Sequence, residues 1–261
     1  MSESPIKTIM VALGLCLVCS IMVAGVAVKF KPMQVKNADL DLKKSILSAA
    51  GMYQEGIDID EVFEDIEVIL VDFETGEEMD HIDANEFNPE KAIKDPELSI
   101  RIPDSEDVGN LLRRPKYAKV YLVKNDEAEL DKIILPITSK GLWSTMRGFL
   151  ALKADTKTVA GFAYYSHGET PGLGGEVDNP KWKESWIGKK VFDEEWQPAI
   201  RVSKVSKEPG QSGYEHHIDA LSGSTITSNG IDNSLQYWLG ESGYGVYLAS
   251  LRDNENIGEE I

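Results

Sequence analysis

The amino-terminal segment limits the architecture more than any later stretch, because Thr8 to Val28 spans 21 residues without one charged side chain. A helix rising about 1.5 Å per residue carries such a run roughly 32 Å, one crossing of a bilayer core. Lys7 precedes the run, and Lys29, Lys31 and Lys36 follow it. Ala24-Gly25-Val26-Ala27 offers small residues of the kind found at signal cleavage sites, which leaves a removable signal as the alternative. The run exceeds the usual signal core of about 7 to 15 residues, and this favours a retained anchor. The anchor is expected over residues 1–36, with its transmembrane helix at about 8–28. No second run of this kind follows, and the remainder is long enough for one sizeable soluble domain. By charge alone, the three lysines after the span place that domain in the cytoplasm.

The formal net charge of −17 is unevenly spread. Residues 37–110 hold 22 Asp and Glu against 5 Lys and Arg, while residues 1–36 carry +3 and residues 111–261 carry −3. So acidic a surface repels phosphate backbones and anionic headgroups, and nucleic acid is not an expected partner. The acidity names no partner of its own and also reads as a plain water-facing surface. Both cysteines, Cys16 and Cys19, fall inside the apolar run. There they read either as small residues packing in a membrane helix or as half of a redox or metal pair. Without further cysteines the soluble part has no internal disulfide and no thiolate chemistry. Its histidines, His81, His167, His216 and His217, lack metal-ligand spacing, so no metal is expected.

Asp39 to Ala50 places Leu42, Ile46, Leu47 and Ala50 on one face and stops at Gly51, the pattern of a short amphipathic helix following the anchor. Glu67 to Phe73 reads as a strand with a turn at Thr75-Gly76, and Glu77 to Gly109 as loops with short helical pieces. Residues 37–110 form the acidic, membrane-proximal region of the soluble domain and residues 111–261 its core. In that core, Ala118–Val123 and Leu130–Ile137 form one hairpin around Asn125-Asp126, and Phe149–Lys153 and Val159–Tyr165 another around Asp155-Thr156. Asn179-Pro180 starts a short helix carrying Trp182 and Trp186, and Ile200–Val205 is a further strand. Ile231, Leu235, Trp238 and Leu239 line one face of a helix, and Tyr244–Arg252 forms a last one. The fold class expected is α+β: a single N-terminal transmembrane helix, then a mainly antiparallel sheet flanked by helices.

Three segments carry the chemistry. The run Asp219-Ala220-Leu221-Ser222-Gly223-Ser224-Thr225 has the pattern Asp-x-x-Ser/Thr-Gly-Ala/Ser-Thr and is followed by Ile226 and Thr227. In proteins that carry the pattern, its last Thr is esterified by the phosphate of FMN, which makes Thr225 the candidate for covalent FMN attachment. An ordinary helix-capping turn is the other reading of Ser-Gly-Ser-Thr. A turn just before a helix offers N–H groups and a positive dipole end to a phosphate, so Ser222, Gly223, Ser224 and Thr227 are candidate contacts. A threonine hydroxyl without an adjacent base is a weak nucleophile, so a separate flavin transferase is expected, with Asp219 as the carboxylate it reads. Asp219 also reads as a turn-stabilising carboxylate.

The second segment, His167-Gly168-Glu169-Thr170-Pro171-Gly172-Leu173-Gly174-Gly175, lets backbone approach a flat ligand closely. Leu173 is placed to cover a ring face, Glu169 and Thr170 to bond ring edges or the ribityl chain, and Gly172 and Gly174 to admit the ligand. By composition alone it is a glycine-rich loop. The third, Gly141-Leu142-Trp143-Ser144-Thr145-Met146, adds Leu142 as a contact and Trp143 either to stack on the ring or to close the core. No acid–base pair or Ser-His-Asp arrangement stands out, so no catalytic residue is assigned; a tethered flavin among glycines and apolar groups suits electron transfer.

These segments resemble the C subunits of bacterial Na+-translocating NADH:quinone oxidoreductases. The resemblance rests on the flavin motif, on Gly141-Leu142-Trp143-Ser144, on Gly168 through Val177, on Thr225-Ile226-Thr227-Ser228-Asn229-Gly230 and on Trp238-Leu239-Gly240. It covers nearly the whole chain except residues 55–110. It implies a single-span inner-membrane protein with a periplasmic FMN domain, FMN esterified to Thr225, and a place in a six-subunit complex. There electrons pass from iron–sulfur centres to the flavins of a membrane subunit and on to ubiquinone while sodium is exported. The chain itself would bind neither NADH nor quinone. Ser224 stands where the family usually has Ala, and the lysines after the span argue against a periplasmic domain. The G subunit of the Rnf ferredoxin:NAD+ oxidoreductase has a similar glycine loop and is the alternative, as is a non-redox anchored binding module.

Overall fold

The computed structural model describes residues 4–259, with side chains described as far as residue 253. The chain divides into two compact units, Met1–Leu42 and Lys43–Ile261. Helix α1 runs Pro5–Ala49 and contains an 18-residue window of mean hydropathy 2.7. The expected separate helix from Asp39 is therefore the last part of one continuous helix. Pro32 removes one backbone donor but does not end it, and no glycine lies between Gly25 and Gly51. Gly51, with φ +71°, stops it: Met52 N–H donates to the Leu47 carbonyl at 2.8 Å and Gly51 N–H to Ser48 at 3.1 Å, a Schellman closure.

In the second unit, α2 (Ile59–Glu64) is capped by the Asp58 carboxylate and leads into strand β1 (Ile66–Asp72). The acidic stretch that follows is more ordered than expected. It contains α3 (Pro89–Ala92) and β2 (Ser99–Arg101), which pairs antiparallel with β3 (Arg113–Pro115). The Asp107 carboxylate fixes the link between them by accepting from the N–H groups of Leu111 and Leu112 at 2.6 and 2.7 Å. Next come β4 (Tyr117–Lys124), β5 (Leu130–Lys140), β6 (Thr145–Lys153) and β7 (Val159–Ser166), the two hairpins read from turn chemistry. These four pair in sequence order, and β1 adds outside β4, so one antiparallel sheet has the order β1-β4-β5-β6-β7. The acidic region thus supplies an edge strand of the central sheet.

After β7, a 3-10 turn at Gly174–Asp178 precedes α4 (Pro180–Glu184), whose cap is the Asn179 side chain. Short strands β8 (Arg201–Ser203) and β9 (His217–Asp219) pair in parallel. Helices α5 (Thr225–Leu239) and α6 (Gly245–Glu259) close the chain. The expected face of α5, Ile231, Leu235, Trp238 and Leu239, is buried in the main apolar cluster with Ile133, Leu135 and Leu150 of the sheet. Two bonds lock α5 and the residues after it to β5: Trp238 Nε1 donates to the Thr138 carbonyl at 2.8 Å, and Tyr244 hydroxyl to the Pro136 carbonyl at 2.7 Å. Contact is closest at Gly230, where a Cβ would lie 1.7 Å from the Lys140 carbonyl oxygen. Only a residue without Cβ lets this helix settle there.

Candidate functional site

Lys140 ends β5, and the chain turns at once through Gly141–Ser144, with Gly141 N–H donating to the Ser144 carbonyl at 2.8 Å. Seating α5 on Lys140 therefore brings its first turn beside this loop. The glycine-rich loop after β7 fits between them, and Glu169 joins all three. Glu169 is 6% exposed and accepts five hydrogen bonds. Oε1 receives the N–H groups of Trp143 and Ser144 at 3.0 and 3.1 Å and the Ser144 hydroxyl at 3.2 Å. Oε2 receives Leu142 N–H at 3.1 Å and the Thr227 hydroxyl at 2.8 Å. Two glycines make room for this carboxylate. A Cβ on Gly141 would lie 2.4 Å from Oε1, and one on Gly174 would lie 2.8 Å from Oε2.

Burial pushes the Glu169 carboxyl up, but the bonds from Thr227, Trp143, Leu142 and Ser144 together outweigh it and hold it below its ordinary value. It is an anion at neutral pH. With both oxygens filled and turned inward, Glu169 organises the loops and offers no edge to a ligand, unlike the expectation of a ring or ribityl contact. The Thr227 side chain is turned the same way: the residue is buried, and its hydroxyl is committed to Glu169.

The residues that do face outward form an apolar rim. Leu142 is 49% exposed, Trp143 71%, Leu173 44% and Ile226 58%. Leu142 and Trp143 are bonded to Glu169 through their own N–H groups, and Leu173 and Ile226 each precede a residue that abuts it. Trp143 therefore does not close the core, which removes one of its two expected roles. Leu173 lies over the turn at residues 222–225, its Cδ2 2.9 Å from where a Gly223 Cβ would be, and Gly223 has φ +72°. Gly172, also at positive φ (+78°), and Thr170 are exposed on the same loop, and the Thr170 carbonyl accepts from Leu173 and Gly175 N–H at 3.1 and 2.9 Å. Ile226 was missing from the expected contacts. Its signal was an apolar residue directly after Thr225 and outside the apolar spacing of the buried α5 face.

Thr225 is the first residue of α5 and is half-buried; Ser222 is exposed and Ser224 buried. Ser224 occupies the N-cap yet its side chain makes no capping bond. Instead Ser224 N–H donates to the Leu221 carbonyl at 3.1 Å, and Leu221 N–H donates to Ser228 Oγ at 3.0 Å, which holds the turn closed from below. Asp219 lies at the end of β9 with its side chain 64% exposed. Its carboxylate is bonded to His217 Nε2 at 2.9 Å, and its carbonyl accepts from Trp182 Nε1 at 2.9 Å. Burial raises its carboxyl, but the bonds from His217 and Ser206 and the charges of His217 and Lys189 prevail, leaving it below the usual range.

A family model described as an FMN-binding domain matches residues 141–240, from the first residue of the β5–β6 turn to the glycine that ends α5, and so takes in all three segments. The C subunit of the Na(+)-translocating NADH-quinone reductase of Pseudomonas aeruginosa is 48% identical over 257 residues, covering 97% of this chain and 98% of that one. Its counterpart in Vibrio alginolyticus is 46% identical over 255 residues, covering 97% and 98%. Among solved structures, Shewanella oneidensis NqrC superposes with a TM-score of 0.76 at 30% identity, over 84% of this chain and 99% of the other. With relatives this similar along 97% of its length, the chain belongs to the NqrC family, the C subunits of Na+-translocating NADH-quinone reductases.

Proposed function

We propose that FMN is joined through its phosphate to Thr225 Oγ and that the chain is an electron-carrying subunit of a Na+-translocating NADH:ubiquinone reductase. The observation that carries this reading is the state of the α5 terminus: a half-buried threonine at a cap whose side chain makes no bond, so first-turn N–H groups are left for an outside acceptor. A phosphate ester on Thr225 suits those donors and the positive helix end. The apolar rim of Leu142, Trp143, Leu173 and Ile226 suits a flat ring, and the open backbone at Gly172 leaves room for it. When bound, the flavin supplies reversible electron transfer. The residues hold it, exclude water from one face and fix its tether; none moves a proton.

In this reading the chain relays electrons between iron–sulfur centres and the flavins of a membrane subunit, within a six-subunit assembly that reduces ubiquinone and exports sodium. Helix α1 anchors it in the bacterial inner membrane with the soluble unit in the periplasm. A flavin transferase matures it, and the exposed Asp219 carboxylate, bonded to His217, is the group that enzyme reads.

The test is intact mass and peptide mapping of denatured chain made with an active flavin transferase. One FMN less one water is expected on the peptide containing Thr225. Thr225→Ala should carry none and still fold, since it removes one hydroxyl worth about 1 kcal/mol; FMN retained by Thr225→Ala after denaturation would refute the assignment. In the same assay Asp219→Asn should lower the modified fraction, and undiminished modification would free Asp219 of its role.

A further inference from the structure

Among the described residues, Glu169 is a buried carboxylate that no Lys, Arg or His pairs with. All five groups that bond it are neutral donors: three backbone N–H groups and two hydroxyls. The contrast is Asp232 on α5, equally buried, which the Arg201 guanidinium grips at 3.0 and 2.6 Å while Val202 N–H adds a third bond at 2.7 Å. Hydrogen bonds stabilise the Glu169 charge without cancelling it. A net negative charge thus sits directly beneath the turn that presents Leu142 and Trp143, and against the residue two places past Thr225.

We propose that Glu169 is the positioning residue of the flavin site and that its uncompensated charge holds the reduction potential of the bound flavin down. This rests on the reading of Thr225 as the FMN acceptor. The physical ground is that adding electrons beside a fixed anion in a poorly solvated place is disfavoured, and that a protein tunes a cofactor through the charges around it. Glutamine cannot take over the arrangement. Its single oxygen can face either the Trp143–Ser144 donors or the Leu142–Thr227 donors, and its amide would then point donor to donor at the other set. The site needs two acceptor oxygens, hence an ionised acid, and acquires its charge as a consequence.

The experiment compares wild-type chain, Glu169→Gln and Glu169→Asp, all made with the flavin transferase. Covalent FMN is measured by mass, stability by thermal melting, and midpoint potential by spectroelectrochemical titration. Glu169→Gln keeps the shape and loses the charge; Glu169→Asp keeps the charge and shortens the reach. Both should melt below wild type. The midpoint potential should rise in Glu169→Gln and stay near wild type in Glu169→Asp, following charge and not stability. Equal potentials in wild type and Glu169→Gln, or equal shifts in the two variants, would overturn the proposal and leave Glu169 a structural residue only. A wild-type chain with no FMN on Thr225 would instead overturn the site assignment on which the proposal stands.

Should Glu169→Gln accept no flavin, Thr227→Val provides the test. Removing one donor raises the Glu169 pKa, so on acidification the potential should begin its extra rise at a higher pH than in wild type. The other titratable groups nearby are His167, whose Nδ1 accepts from Glu169 N–H at 3.3 Å, Asp178 bonded to His167, and Lys183 beside Asp178. Both chains keep these, so they cancel in the difference between curves. Superimposable curves would refute the idea.

Discussion

The seat of α5 on Lys140 gives a sharp test of how the site is assembled. In Gly230→Ala the new methyl would begin 1.7 Å from the Lys140 carbonyl oxygen and 2.9 Å from its carbonyl carbon. Carbon-to-oxygen contacts in proteins settle near 3.3 Å, so the helix and strand must part by about 1.5 Å. Overpacking of this kind costs about 1–3 kcal/mol. The bond from Trp238 Nε1 to Thr138, at 2.8 Å along the same helix–strand seam, would be stretched and add about 1 kcal/mol. Together these predict a melting temperature lower by on the order of 10 °C for a domain of this size. The same displacement pulls Thr227 from Glu169, so the fraction of chains carrying FMN should fall as well. Gly188→Ala, outside the three site segments, is the control: its φ of +80° adds backbone strain, but nothing lies within 4 Å of the new methyl. Its cost should stay at about 1–2 kcal/mol, the range for a left-handed alanine. Thermal melting followed by intact mass reads both effects. A Gly230→Ala chain that melts with wild type and is fully flavinylated would refute the seam as the link between the sheet and the turn at residues 222–225.

Two further outcomes follow from the buried acids. Asp232→Ala leaves Val202 N–H without its acceptor and frees the half-exposed Arg201, so urea unfolding should show a loss of about 1–3 kcal/mol, with Asp232→Asn losing less; an unchanged midpoint would contradict the β8–α5 clasp. Glu169 has a folded pKa below its ordinary value of 4.5, so its contribution is present above that value and is lost as pH falls through the folded pKa. The stability gap between wild type and Glu169→Gln should therefore be constant near neutrality and narrow as pH falls below 4.5; a gap that widened on acidification would reverse the sign of the argument.

Where turn chemistry was explicit, the fold was legible. Asn125-Asp126 and Asp155-Thr156 marked both hairpins, and Thr156 indeed takes a positive φ of 55°. Asn179-Pro180 marked the start of α4, and the apolar spacing of α5 gave its buried face. The continuity of α1 was hidden because Lys29 to Leu42 changes from apolar to charged without a helix breaker other than Pro32, and a change of solvent looks like a change of element. The β2–β3 pair was hidden because its strands are three residues each and carry Arg101, Arg113 and Arg114 instead of alternating apolar residues. At the site, the three segments could be read, and the FMN-binding region takes in all of them, but who faces whom could not. Glu169 and Thr227 are polar residues beside a polar motif, and only the packing of Gly141 and Gly174 around a carboxylate shows them turned inward.

The sheet order β1-β4-β5-β6-β7 also sets a timetable for biosynthesis. Four strands pair with their neighbours in sequence and can form as they leave the ribosome, amino end first. Strand β1 emerges earlier and must wait for β4. The turn at Gly141–Ser144 then exists before Glu169 is made to receive its N–H groups, and Glu169 in turn waits for Thr227. Because Gly230 must find Lys140 before Thr225 is held at the head of α5, Thr225 is the last part of the site to be put in place. A transferase that reads the folded turn would therefore act only on finished chains, and an attached flavin would mark a chain as fit for assembly.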